Sequence, residues 1–99
     1  MPQKTVRVVA RITALRDRVN DVRLLLEELI EPTRSEAGCI SYELLQNKAD
    51  PTDFTFVEEW DGDQALDAHL SSEHIQSAIT GTATLLAAPP DIRKYTLLR

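Results

Sequence analysis

Two histidines, one tryptophan and a few acids, nearly all within the stretch from Glu36 to Ile75, carry whatever chemistry this sequence can do. Along Phe54–Trp60 a period of two puts Phe54, Phe56, Glu58 and Trp60 on one strand face and Thr55, Val57 and Glu59 on the other. An acid thus stands two residues from the only tryptophan. A carboxyl on an aromatic face must find a partner or shift its pKa upwards, and Arg11 is the expected partner of Glu58. Trp60 itself suits either a core or the wall of a pocket.

The histidines differ in setting. His69 falls on the apolar stripe of a short helix beside Leu66 and Leu70, where a packed histidine is common. His74 falls in the first turn after a serine cap, where the helix dipole disfavours the imidazolium. A neutral ring there can take a proton from a substrate hydroxyl. Tyr42 alternates with Ile40 and Leu44, which places it in their layer with its hydroxyl towards the edge of a cavity. Cys39 follows Gly38 with no base in register, so it reads as a packing residue and not a nucleophile. The sequence holds no phosphate-cradling glycine loop, no Ser-His-Asp pattern in a recognisable context and no Cys/His set spaced for a metal.

The elements that position these residues follow from periodicity. Thr5–Ala14 is β-branched and apolar with interleaved charges, a first strand with one dry face. Asp17 is placed to cap a long amphipathic helix in which Val19, Val22, Leu25, Leu26, Leu29 and Ile30 recur at helical spacing. Pro32 predicts a kink, with helix resuming over Thr33–Glu36 before Gly38. Cys39–Gln46 and Phe54–Trp60 are strand-like and joined by the polar Asn47–Asp53 stretch, so they should pair antiparallel. Asp61 and Gln64 resemble a capping box opening a short helix, and Ser71 or Ser72 caps a second. Ala87-Ala88-Pro89-Pro90 ends that helix, and Ile92–Leu98 is the last strand.

The order β-α-β-β-α-β, with the second α split, defines an α+β ferredoxin-like plait: an antiparallel sheet with helices on one face. Apolar residues on both faces of the sheet, Val9 among them, ask for a cover on the open side, which a second copy packed sheet to sheet would supply. The chain should work as a homodimer.

Composition narrows the partners. Ninety-nine residues with 42% apolar and 27% charged side chains make a single domain, 1–99. A net charge of -5 repels phosphate backbones and anionic lipid, so neither nucleic acid nor membrane is an expected partner. One cysteine closes no internal disulfide. The Met1–Thr5 lead-in carries no signal core, and no run reaches the roughly 20 apolar residues of a bilayer span, so a cytoplasmic location is expected.

Three linked motifs complete the reading: Thr33-Arg34-Ser35-Glu36-Ala37-Gly38-Cys39-Ile40-Ser41-Tyr42, then Phe54-x-x-x-Glu58-x-Trp60, then Ala65-x-x-x-His69-x-x-Ser72-x-His74. Together they resemble the antibiotic biosynthesis monooxygenase domain family over essentially the whole chain. The resemblance implies a dimeric α+β barrel, two sheets face to face, with one cavity per subunit between sheet and helices. It also implies oxidation of a small phenol or hydroquinone to a quinone by O₂ without flavin, haem or metal. Carried over residue by residue, it places His74 and His69 as the catalytic pair, with His74 the first choice of base, and Trp60, Tyr42 and Glu58 around the substrate. The haem-degrading members look to need an asparagine, a tryptophan and an iron-ligating histidine where this chain has Ala10, His69 and Ile79. Two other readings stand beside the oxygenase: a non-oxidative isomerase of a small carbonyl compound, marked by arginines and lysines around the pocket, and a non-enzymatic dimeric ligand-binding module.

Overall fold

The alternation of apolar and charged residues from Val6 folds as expected. The computed structural model describes residues 5–99, so Met1–Lys4, expected as a lead-in, lie outside the described residues. The elements are β1 (Val6–Thr13), α1 (Val19–Glu27), α2 (Ile30–Arg34), β2 (Cys39–Gln46), β3 (Asp53–Trp60), α3 (Asp63–Leu70), α4 (Glu73–Thr82) and β4 (Asp91–Tyr95). Strands lie in the order β2-β3-β1-β4 with every pair antiparallel, which is the ferredoxin-like plait. No helix among the described residues is long and apolar enough to cross a membrane.

One face of the sheet supplies Val8, Ala10 and Ile12 from β1, Tyr42 from β2, and Phe54, Phe56 and Trp60 from β3. Val22 and Leu26 of α1, Leu66 of α3 and Ile75 of α4 close over it as a single core. The opposite face is bare in the single chain, with Val57, Leu45 and Tyr95 all exposed among charged neighbours.

Five local expectations are corrected. Asp17 does not cap α1: the N-cap position is Arg18, which makes no side-chain cap and reaches Asp21 at 3.3 Å. Pro32 breaks the first helix and does not merely kink it. Lacking an N–H, it sits in the first turn of the separate helix α2, where that donor has no intrahelical partner. Asp61 caps nothing, since α3 starts after Gly62, which makes no cap bond; the backbone N–H of Asp61 donates instead to the Gly38 carbonyl at 2.8 Å. Ile40 does not share the layer of Tyr42, because the β2–β3 register slips between Cys39 and Ser41 and leaves Ile40 exposed. Ser72 is the cap of α4, accepting from the Ile75 N–H, and β4 is one residue earlier at its start and shorter than expected.

Candidate functional site

Between the sheet and the helices lies a cavity of about 90 Å³, open at one side past Ile79, Pro90 and Ile92. That is smaller than the roughly 150 Å³ of a dry cavity known to take up benzene, but the opening extends it. Among the described residues its walls are apolar apart from Tyr42, Glu58, His69 and Thr82, and no described arginine or lysine lines it.

His69 is held there by its neighbours in space. Its ring lies against Trp60 with centroids 4.5 Å apart and meets Tyr42 edge-on at 5.5 Å, and Tyr42 stacks on Phe56 at 4.8 Å. Burial lowers its pKa, against the opposing pull of Glu36. Burial, then the charge of Glu58, pushes the Tyr42 phenol up. Tyr42 therefore serves the wall as a ring and not as an acid.

Glu36, absent from the expected site, organises it. Its Oε2 stands 2.7 Å from Nδ1 of His69 and 2.7 Å from Nε2 of His74. The turn that carries it is fixed at both ends: Arg34 donates twice to the Tyr42 carbonyl, at 3.1 and 2.9 Å, and Cys39 N–H donates to the Glu36 carbonyl. Gly38 makes that turn possible. Its φ of +86° is a glycine conformation, and a Cβ there would lie 2.5 Å from the Ala65 methyl.

Proton counting sets the tautomers. The Ser72 hydroxyl gives its one proton to the His69 carbonyl at 2.6 Å, so towards His74 Nε2, at 3.3 Å, it can only accept. Nε2 of His74 therefore bears a proton and donates to Glu36. The same carboxylate oxygen accepts from Nδ1 of His69, which leaves Nε2 of His69 as the basic nitrogen.

Glu58 accepts from the Trp60 indole N–H at 2.9 Å and is 4% exposed. Burial pushes its carboxyl up to about 7, the indole bond opposing and Glu36 adding a little. Arg11 is not its partner. Residues on β1 alternate, so Arg11 projects from the open face and pairs with Asp53 at 3.1 Å, while Glu58 faces the helices. Among the described residues only Arg7 Nε and Thr33 Oγ1 are sealed in without a hydrogen bond. The second oxygen of Glu58 and Nε2 of His69 also make no hydrogen bond to described residues, so both open onto the cavity their side chains line.

Of the five expected site residues, His69, Tyr42 and Glu58 thus line the cavity. Trp60 backs His69 and Glu58 from within the core, and His74 sits behind, one carboxylate away from His69. Cys39 is half-buried, its thiol pushed up by burial and then by Glu36 and Glu58, a setting that suppresses the thiolate. The oxygen of Glu36 and the two histidine nitrogens lie within 4.8 Å of one another, a donor set that a divalent cation could use. Their 2.7 Å contacts, however, are hydrogen bonds, and a cation with ligands at about 2.0–2.1 Å would have to displace both ring protons.

The chain is similar to proteins already described. It is 33% identical over 88 residues to sll1783, an uncharacterised protein of Synechocystis sp., covering 89% of this chain but only 60% of that one. It is 36% identical over 84 residues to Rv0793 of Mycobacterium tuberculosis, which bears a provisional monooxygenase name, covering 85% of this chain and 82% of that protein. The crystal structure of PA3566 from Pseudomonas aeruginosa superposes with a TM-score of 0.92 at 30% identity, over 100% of this chain and 99% of that one. Residues 5–81 match the model of the family described as antibiotic biosynthesis monooxygenase, and with sequence, fold and site motifs agreeing, the chain belongs to that family.

Proposed function

We propose that this protein is a cofactor-independent monooxygenase that oxidises a small phenol or hydroquinone to a quinone with O₂. The observation that carries the reading is the polar end of the cavity: a buried imidazole, held by a carboxylate, presents its free nitrogen to a mainly apolar space whose described residues include no cation. Such a space takes an aromatic ring by burial and a single hydroxyl by hydrogen bond. A phosphorylated or carboxylated substrate would need an arginine or lysine, which the described residues of the wall do not include, and this disfavours the isomerase alternative.

His69, kept neutral by burial, accepts the phenolic proton at Nε2. Glu36 holds the opposite N–H and stabilises the imidazolium that forms, and His74 anchors Glu36 from the other side. The phenolate left in a water-poor cavity is electron-rich and passes an electron to O₂, so the substrate is its own reductant. A second copy of the chain covers the bare sheet face carrying Val57, Leu45 and Tyr95, giving a homodimer.

The test is oxygen consumption with a panel of phenols and hydroquinones, followed alongside quinone absorbance. Stoichiometric uptake above the protein-free rate supports the reading. Binding without uptake across the panel overturns it and leaves a ligand-binding module.

A further inference from the structure

Phenol deprotonation by His69 and electron transfer to O₂ leave one buried ionisable group of the cavity without a task. Glu58 stands on β3, opposite Val8 of β1 and Tyr42 of β2, with one oxygen on the Trp60 indole and the other open to the cavity. Among the described residues no cation reaches it. Arg11 is engaged by Asp53, Arg7 by Glu59 at 3.5 Å, and Arg34 by the Tyr42 carbonyl. The groups that do face it are His69 from α3, Tyr42 and Cys39 from β2, and Glu36 from the turn before β2; Lys94 of β4 lies on the same sheet face beyond Val8 but is exposed. None of them is a fixed positive charge close enough to hold a carboxylate in a dry pocket.

We propose, resting on the oxygenase reading, that Glu58 is the acid of the reaction: it hands its proton to the distal oxygen of the ring-bound peroxide and then takes the proton from the same ring carbon as the O–O bond breaks. The phenol gives its hydroxyl proton to His69, and the phenolate and O₂ combine at a ring carbon bearing hydrogen to give a C–O–O⁻ adduct. Glu58 protonates the terminal oxygen, which prevents reversal to phenolate and O₂. Its carboxylate then removes the ring C–H proton, and that electron pair forms the C=O while the O–O bond cleaves. The departing hydroxide takes the proton held on His69 and leaves as water. Phenol plus O₂ yields quinone plus water, with both side chains restored. A carboxyl whose ionisation lies near 7 can both give and receive a proton in this sequence.

The test is the Glu58→Gln variant, which keeps an oxygen for the Trp60 indole but has no acid. Two readouts are needed. The first is kcat with a phenol that the unaltered protein oxidises: a fall of about 10²-fold or more with little change in the affinity for an unreactive phenol is expected, with partial recovery in Glu58→Asp. The second is the fluorescence of Trp60, the only tryptophan, against pH: a transition near 7 in the unaltered protein, absent in Glu58→Gln and retained in His69→Gln. A Glu58→Gln enzyme with kcat within twofold of normal overturns the proposal, as does a fluorescence transition that survives the substitution. If the unaltered protein consumes no O₂, the oxygenase reading fails and takes this step with it, while the fluorescence titration still reports where Glu58 holds its proton.

Discussion

Oε2 of Glu36 stands 2.7 Å from Nδ1 of His69, joining the turn before β2 to the face of α3 across 33 residues of sequence. The bond decides which nitrogen of His69 is basic, and so fixes what the cavity can do.

Replacing Glu36 with glutamine keeps the shape but supplies an amide that need not select the same tautomer. The expected result is a fall in kcat of about 10²-fold or more with near-normal binding of an unreactive phenol. Equal losses in kcat and in binding would instead assign Glu36 a role in holding the cavity together.

His69 and His74 should separate cleanly. His69→Asn removes the base and should abolish measurable turnover, whereas His74→Asn removes only a second anchor of Glu36 and should leave more than a tenth of kcat. Paired steady-state rates measure this, and the reverse order would make His74 the base.

Legibility in the sequence followed periodicity. Phe56, Glu58 and Trp60 share a face because a strand alternates, and this held to the atom, with Glu58 and Trp60 hydrogen-bonded at 2.9 Å. The same alternation rules out the expected Glu58–Arg11 pair, since Arg11 and Glu58 lie on opposite faces. Glu36 was legible only as part of a motif. It lies outside any periodic element, and its partners come from α3 and α4, so no local spacing marks it. The caps expected at Asp17 and Asp61 are not made because α1 and α3 each start one residue later, after Arg18 and Gly62, neither of which forms a side-chain cap bond.

Glu58 should also make stability depend on pH. Its folded-state pKa is raised, so the neutral carboxyl contributes stability that is fully present below 4.5 and is lost as the pH rises through about 7. The loss is on the order of 3 kcal/mol. Thermal melts of Glu58→Gln and the unaltered protein should therefore diverge between pH 5 and pH 8, with the variant gaining relative stability at the higher pH. Parallel curves would show the carboxyl ionised at both.

Gly38→Ala should damage the site from a distance. A side chain there meets Ala65 and Asp61 and must adopt a left-handed conformation, costing about 1–2 kcal/mol before any clash is relieved. Chemical denaturation measures the loss, and a kcat lowered beyond the change in folded fraction would show that Glu36, two residues earlier, has moved.

If a second subunit covers the open sheet face, Val57→Lys should disperse the dimer without unfolding the chain, because Val57 is already exposed in the single subunit. Analytical ultracentrifugation of both proteins reads this directly. A monomer before substitution would remove the dimer.

Oxygenation is tested most directly by the fate of the oxygen atoms. A phenol turned over under isotopically heavy O₂, with the protein treated beforehand with chelator, should yield a quinone carrying one heavy oxygen and water carrying the other. A quinone that gains no heavy atom, or turnover that stops when metal is removed, would contradict it.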